Sequence, residues 1–130
     1  MTKKILIIED ERNICELLSH MLKGNEYETV IALTGADGLR LSTEELPNLI
    51  ILDVMMESVD KGFDVARNLK NDKNHQDIPI LMLTAIKEKT GLGFEKEAGD
   101  PDWLPVDGYC EKPLKPEELI SKVKELLGKR

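Results

Sequence analysis

Three runs of consecutive apolar residues, Ile5–Ile8, Leu49–Leu52 and Ile80–Leu83, constrain the fold of this chain more than any other feature. Each is closed at once by an acid or a hydroxyl: Glu9, Asp53 and Thr84 respectively. A strand apolar at every position is buried on both faces, which happens in a parallel sheet covered by helices on both sides. Between the runs lie segments with apolar residues at helical spacing, and that alternation marks an α/β chain.

The first such segment carries Ile14, Leu17, Leu18, Met21 and Leu22 on one stripe and stops at Gly24-Asn25. Glu28–Leu33 reads as a second strand, Thr34 as the cap of a helix running towards Leu46, and Pro47-Asn48 as the break before the third strand. Gly62–Lys70 reads as a helix with Phe63, Ala66 and Leu69 inward, followed by a polar linker, 71–77. Gly108–Cys110 is a short fifth strand. The last helix opens at Pro116 with Glu117 and Glu118 in its first turn. Leu119, Ile120, Val123, Leu126 and Leu127 make its apolar stripe, and it stops at Gly128. The right-handed crossover rule then gives one doubly wound parallel sheet.

Composition narrows the function. At 130 residues the chain is expected to form one domain, 1–130, with a core of its own. Eighteen basic against 25 acidic residues leave a net charge of −7, which disfavours nucleic acid and anionic membrane as partners. Cys15 and Cys110 fit neither a disulfide framework nor a zinc site. No apolar run approaches a membrane span, and Glu9 cuts the first run too short for a signal peptide, so a soluble cytoplasmic protein is expected.

In doubly wound sheets the ligand lies at the carboxyl ends of the strands. The residues found there are Glu9 and Asp10 after the first strand, Asp53 after the third, Thr84 after the fourth and Lys112 after the fifth. Taken singly, each acid is as well explained as a helix cap or solvated turn, Thr84 as an ordinary strand end and Lys112 as a surface lysine. Their joint placement points to a site. Clustered carboxylates repel unless a cation joins them, and an all-oxygen donor set suits Mg²⁺ better than Zn²⁺. A carboxylate flanked by a divalent cation, an ammonium and a hydroxyl is equipped to accept a phosphoryl group.

At this point the sequence resembles the receiver domain of bacterial two-component response regulators, of the stand-alone chemotaxis type. The resemblance rests on Ile5–Glu11 (ILIIEDE), Pro47–Met56 (PNLIILDVMM), Ile78–Ala85 (IPILMLTA) and Tyr109–Leu114 (YCEKPL). It implies a flavodoxin-like sheet of order 2-1-3-4-5. It also implies Asp53 as phosphoacceptor, Mg²⁺ held by Glu9, Asp10, Asp53 and the Met55 carbonyl, and Thr84 and Lys112 on the phosphoryl group. Tyr109 is then the aromatic that follows phosphorylation, and Lys112–Pro113 a cis bond. The implied donor is a histidine kinase or a histidine phosphotransfer domain docking on the first helix through Ile14, Cys15 and Leu18, although the apolar stripe of that helix reads otherwise as mostly core. The implied output is a conformational change controlling a downstream protein that the sequence does not name, in a monomer or a weak phosphorylation-dependent dimer.

Three departures from that pattern stand out. Glu9 replaces the commoner aspartate; Glu57 replaces a proline, with one extra residue before Gly62 altering the loop beside Asp53; and 28 positions separate Thr84 from Lys112, several more than usual. Gly91, Gly93, Gly99, Pro101 and Pro105 fall in that stretch, so the helix between the fourth and fifth strands is expected to be short, displaced or absent, with one turn near Phe94–Ala98. Trp103 and Leu104 either fold back as a lid on the core or form a contact point. The lid is the expectation, because a lone tryptophan in a folded domain is more often packed than presented.

Other functions fit less well. An aspartyl phosphatase wants an acid two residues after its nucleophile, and Met55 stands there. No GxxxxGK[ST] is present, and Gly91-Leu92-Gly93 fails the dinucleotide fingerprint at Lys96. An FMN carrier needs a phosphate-cradling loop where Glu9-Asp10-Glu11 stands. The remaining alternative is a pseudo-receiver, an interaction module that is not phosphorylated. The reading is therefore of a switch and not an enzyme, beyond self-catalysed phosphotransfer to its own aspartate and its reversal by hydrolysis.

Overall fold

The apolar runs pair side by side. In a computed structural model, which describes residues 2–53, 59–73, 75–84, 106–111 and 115–128, they form one five-stranded parallel sheet of order β2-β1-β3-β4-β5. The strands are β1 (Lys4–Ile8), β2 (Glu28–Ala32), β3 (Leu49–Asp53), β4 (Ile80–Thr84) and β5 (Gly108–Glu111). The helices among the described residues are α1 (Arg12–Lys23), α2 (Gly35–Glu45), α3 (Val59–Asn71) and α4 (Pro116–Gly128). This is the flavodoxin-like arrangement the sequence implies.

Because side chains alternate along a strand, each apolar run feeds two cores. Leu6, Ile8, Ile50, Leu52, Ile80 and Met82 face one side and meet Val65, Ala66 and Leu69 of α3. Ile5, Ile7, Leu49, Ile51, Leu81 and Leu83 face the other and meet Cys15, Leu18 and Leu22 of α1 and Leu119, Val123 and Leu126 of α4. Gly38 of α2 lies so close to β1 that a Cβ there would sit 2.5 Å from Ile8 Cδ1.

Local signals set most helix ends. Thr34 caps α2, its Oγ1 accepting from Asp37 N at 3.1 Å, and α2 ends on Leu46, left-handed at φ 46°, just before Pro47. Helix α1 stops at Lys23 as expected, but Gly24 is right-handed and the positive φ of that turn falls on Glu26. Several boundaries differ from expectation, among them one-residue extensions of β5 to Glu111 rather than Cys110 and of α3 to Asn71 rather than Lys70. Strand β2 stops at Ala32 rather than Leu33, and α3 begins at Val59, so Asp60-Lys61-Gly62 are helical rather than a loop. A glycine in a helix costs only about 1 kcal/mol, too little to set the helix start at Gly62. The expected turn at 94–98, the Trp103 lid, Met55, Glu57, Lys112 and Pro113 lie outside the described residues. Among the described residues, no helix is long and apolar enough to cross a membrane.

Candidate functional site

The register of the sheet brings the strand ends together. Ile8 lies opposite Leu52, so Glu9 and Asp53 follow at neighbouring carboxyl ends, and Asp53 lies opposite Leu83, one residue before Thr84. Thr84 lies opposite Glu111, the residue before Lys112.

Glu9 is held at three points. Its N–H donates to Ala32 O at 3.0 Å on β2, its carbonyl accepts from the Cys15 thiol at 3.2 Å, and its Oε2 accepts from Glu11 N at 3.3 Å. Glu9 and Asp53 are almost wholly buried, at 1% and 3% exposure, whereas Asp10 faces solvent. Carboxylate oxygens of Glu9, Asp10 and Asp53 lie within 4.8 Å of one another. Three hard oxygen donors at that spacing, one open to water, fit a cation that keeps part of its hydration shell, as Mg²⁺ does. Like charges so gathered also make such a cation favourable there.

The field of this cluster reaches Cys15. Its thiol is pushed up to about 11, first by burial and then by the negative charge of Glu9 and Asp10, so it stays protonated and able to donate to Glu9. Cys110 is pushed up to about 11 as well, by burial and then by Glu118. Tyr109 lies opposite Met82, half-buried, and packs against the core on the α3 side.

The structure thus gathers Glu9, Asp10 and Asp53 and puts Thr84 at the neighbouring strand end. It corrects the expected docking edge of α1. Cys15 and Leu18 are buried, at 2% and 0% exposure, while Leu17, read as inward, is half exposed. A helix stripe spanning positions 14, 15, 17, 18, 21 and 22 is wide enough that its flank at Leu17 faces water. The Cys15–Glu9 bond was not signalled by the sequence, where Cys15 reads as a cysteine outside any disulfide or zinc site and as part of the implied docking edge.

A doubly wound parallel sheet with three carboxylates at its carboxyl edge defines a class of α/β domain equipped to hold a divalent cation at its strand ends. The family model described as the response regulator receiver domain matches residues 5–124, and the chain belongs to that family. It is similar to the alkaline phosphatase synthesis transcriptional regulatory protein PhoP of Bacillus subtilis, 39% identical over 98% of this chain and 49% of that protein. The chain therefore spans about half the length of the curated relatives it matches. Among solved structures it is similar to the receiver domain of a signal transduction histidine kinase from Syntrophus aciditrophicus, with TM-score 0.81 and 31% identity over 98% of this chain and 91% of that one. It is also similar to the chemotaxis protein CheY4 of Vibrio cholerae, with TM-score 0.83 and 28% identity over 97% of this chain and 99% of that one. Receiver domains are phosphoacceptor signalling switches of two-component systems rather than classical enzymes, and this chain is of that kind.

Proposed function

We propose that Asp53 is the phosphoacceptor and that Glu9, Asp10 and Asp53, with the Met55 carbonyl, hold the Mg²⁺ that phosphotransfer requires. The observation that carries this reading is the approach of the three carboxylates within 4.8 Å, with Asp53 buried at the end of the central strand. A bound Mg²⁺ supplies charge neutralisation for the transferring phosphoryl oxygens.

The protein's own groups do the rest. An Asp53 carboxylate oxygen attacks phosphorus, the bond from phosphorus to the donor's imidazole nitrogen breaks, and the imidazole leaves with the electron pair and takes a proton from water. Glu9, fixed through its main chain to β2 and α1, holds its carboxylate beside Asp53 without reorganising. Thr84 and Lys112, at the ends of β4 and β5, contact the phosphoryl oxygens, and Tyr109 follows Thr84 in the activated state. Hydrolysis at the same site resets the switch.

The donor is a histidine kinase or histidine phosphotransfer domain in the cytoplasm. Its docking edge on α1 is formed by Ile14 and the half-exposed Leu17, in place of the buried Cys15 and Leu18. The decisive experiment is intact mass after incubation with acetyl phosphate. A gain of one phosphoryl group that needs Mg²⁺ and is lost in Asp53→Asn is expected. Equal labelling of Asp53→Asn would move the acceptor elsewhere. No labelling under conditions that label a control receiver would make the chain a pseudo-receiver.

A further inference from the structure

A polar clip lies at the opposite edge of the sheet from the acids. Asp107, immediately before β5, takes both main-chain groups of Ile80, the first residue of β4. Its N–H donates to Ile80 O at 2.9 Å, and its Oδ2 accepts from Ile80 N at 2.8 Å. Lys70, in the last turn of α3, places its ammonium 2.8 Å from that same Oδ2. It also donates to the carbonyls of Ile78 at 3.0 Å and Gln76 at 3.3 Å. One carboxylate oxygen thereby joins α3, β4 and the entry to β5, and the Lys70 side chain is only 17% exposed.

Strand β5 needs such a device. It has four residues, pairs on one side only among the described residues, and follows the glycine- and proline-bearing stretch 85–105. A strand this short has few ladder bonds to choose its register. A slip of one residue would turn every side chain to the other face, and a slip of two would carry the strand end about 6.6 Å along the sheet. Either slip separates Asp107 from Ile80 and from Lys70, leaving an amide, a carboxylate and a half-buried ammonium without these partners. Ile80 stands four residues before Thr84 on β4, about 13 Å from the phosphoryl end.

We propose that Lys70 and Asp107 are a positioning pair for phosphotransfer. They lock β5 in register from the amino edge of the sheet and so set where Tyr109 stands opposite β4 and where Lys112 follows at the carboxyl edge. This rests on the assignment of Lys112 to the phosphoryl group. It does not involve the metal-binding acids, because Glu9, Asp10 and Asp53 follow or end β1 and β3.

The test uses the full chain and the variants Asp107→Ala, Asp107→Asn and Lys70→Met. Initial rates of labelling by acetyl phosphate are measured at saturating Mg²⁺, with Mg²⁺ affinity by calorimetry and Tm alongside. Asp107→Ala and Lys70→Met are expected to slow labelling by about tenfold, since small misplacements of a reacting group carry penalties of that order or larger. Mg²⁺ affinity is expected to stay within about twofold of wild type, because the strands that carry the acids keep their register. Asp107→Asn keeps an oxygen for the Ile80 amide and recovers most of the rate.

Wild-type rates in Asp107→Ala and Lys70→Met, with only Tm lowered, would reduce the clip to a stabilising contact and overturn the proposal. So would a parallel loss of rate and Mg²⁺ affinity, which would place the damage beyond β5. Should Asp107→Ala not fold, Lys70→Met decides, since it leaves both Asp107–Ile80 hydrogen bonds in place. Failure of the phosphoacceptor reading shows separately, as absence of labelling in the wild-type protein itself.

Discussion

The thiol of Cys15 donates a hydrogen bond to the main-chain carbonyl of Glu9 at 3.2 Å, which ties the first turn of α1 to the acid that follows β1. Both residues are buried, so water is poorly placed to replace that bond. Cys15→Ala removes the donor and leaves a small cavity, and should destabilise the fold by about 2–3 kcal/mol in urea denaturation. Cys15→Ser keeps a donor of similar size and should lose about half as much. Equal losses in the two variants would show that packing of the sulfur, rather than the hydrogen bond, accounts for the effect.

Gly38→Ala sets helix propensity against packing. Alanine in a helix is favoured over glycine by about 1 kcal/mol. Here, however, the new methyl would lie 2.5 to 3.0 Å from three carbons of Ile8, a fully buried residue of β1. Overpacking of that kind costs about 1–3 kcal/mol, so a net loss of stability is expected. Adding Ile8→Val removes the Cδ1 methyl that makes the closest contact, and the double variant should be more stable than the sum of its parts implies. Strict additivity in a double-mutant cycle would show that the backbone of α2 moves instead.

How much of this was legible in the sequence follows from what each feature depends on. Three of the five strands were legible because an apolar run with no polar position admits few other placements, and the strand order followed from the family resemblance. The acids were legible because they terminate those runs. What was not legible depends on the third dimension. The apolar stripe of α1 is broad, and only packing against β1 and β3 decides that Cys15 and Leu18 are inside and Leu17 half out. The start of α3 at Val59 was hidden because Gly62 looks like a boundary and is not one. The Asp107 clip joins residues 27 and 37 positions apart in sequence, and no periodicity encodes it.

Cys110 gives the fold a dependence on alkaline pH. Burial, and then the charge of Glu118, raise its thiol from 9.0 to about 11. The folded state therefore holds this proton more tightly than the unfolded chain. The corresponding stability is fully present below about pH 9 and is lost as pH rises through about 11. A two-unit difference corresponds to about 2–3 kcal/mol at most. Urea midpoints measured from pH 8 to pH 11 should fall more steeply for wild type than for Cys110→Ala. Parallel slopes would mean that the thiol titrates alike in both states.

The acid cluster should reveal itself through opposite effects of one substitution with and without metal. Without Mg²⁺, the carboxylates of Glu9, Asp10 and Asp53 repel one another across no more than 4.8 Å. Asp10 is the exposed member, so Asp10→Asn removes one charge without opening a cavity, and Tm in EDTA should rise or hold steady. With Mg²⁺ the same substitution removes a ligand. The wild-type protein should gain stability as RT ln(1 + [Mg²⁺]/Kd), about 2.7 kcal/mol at a hundredfold excess over Kd. The variant should need at least about tenfold more Mg²⁺ for the same gain, in line with the loss of one charged oxygen from an all-oxygen site. Thermal melts of both proteins across a Mg²⁺ titration would then cross, the variant leading in EDTA and the wild type leading at millimolar metal. Curves that stay parallel would mean that Asp10 stands beside the metal site without contributing to it, and the carboxylate pair would reduce to Glu9 and Asp53.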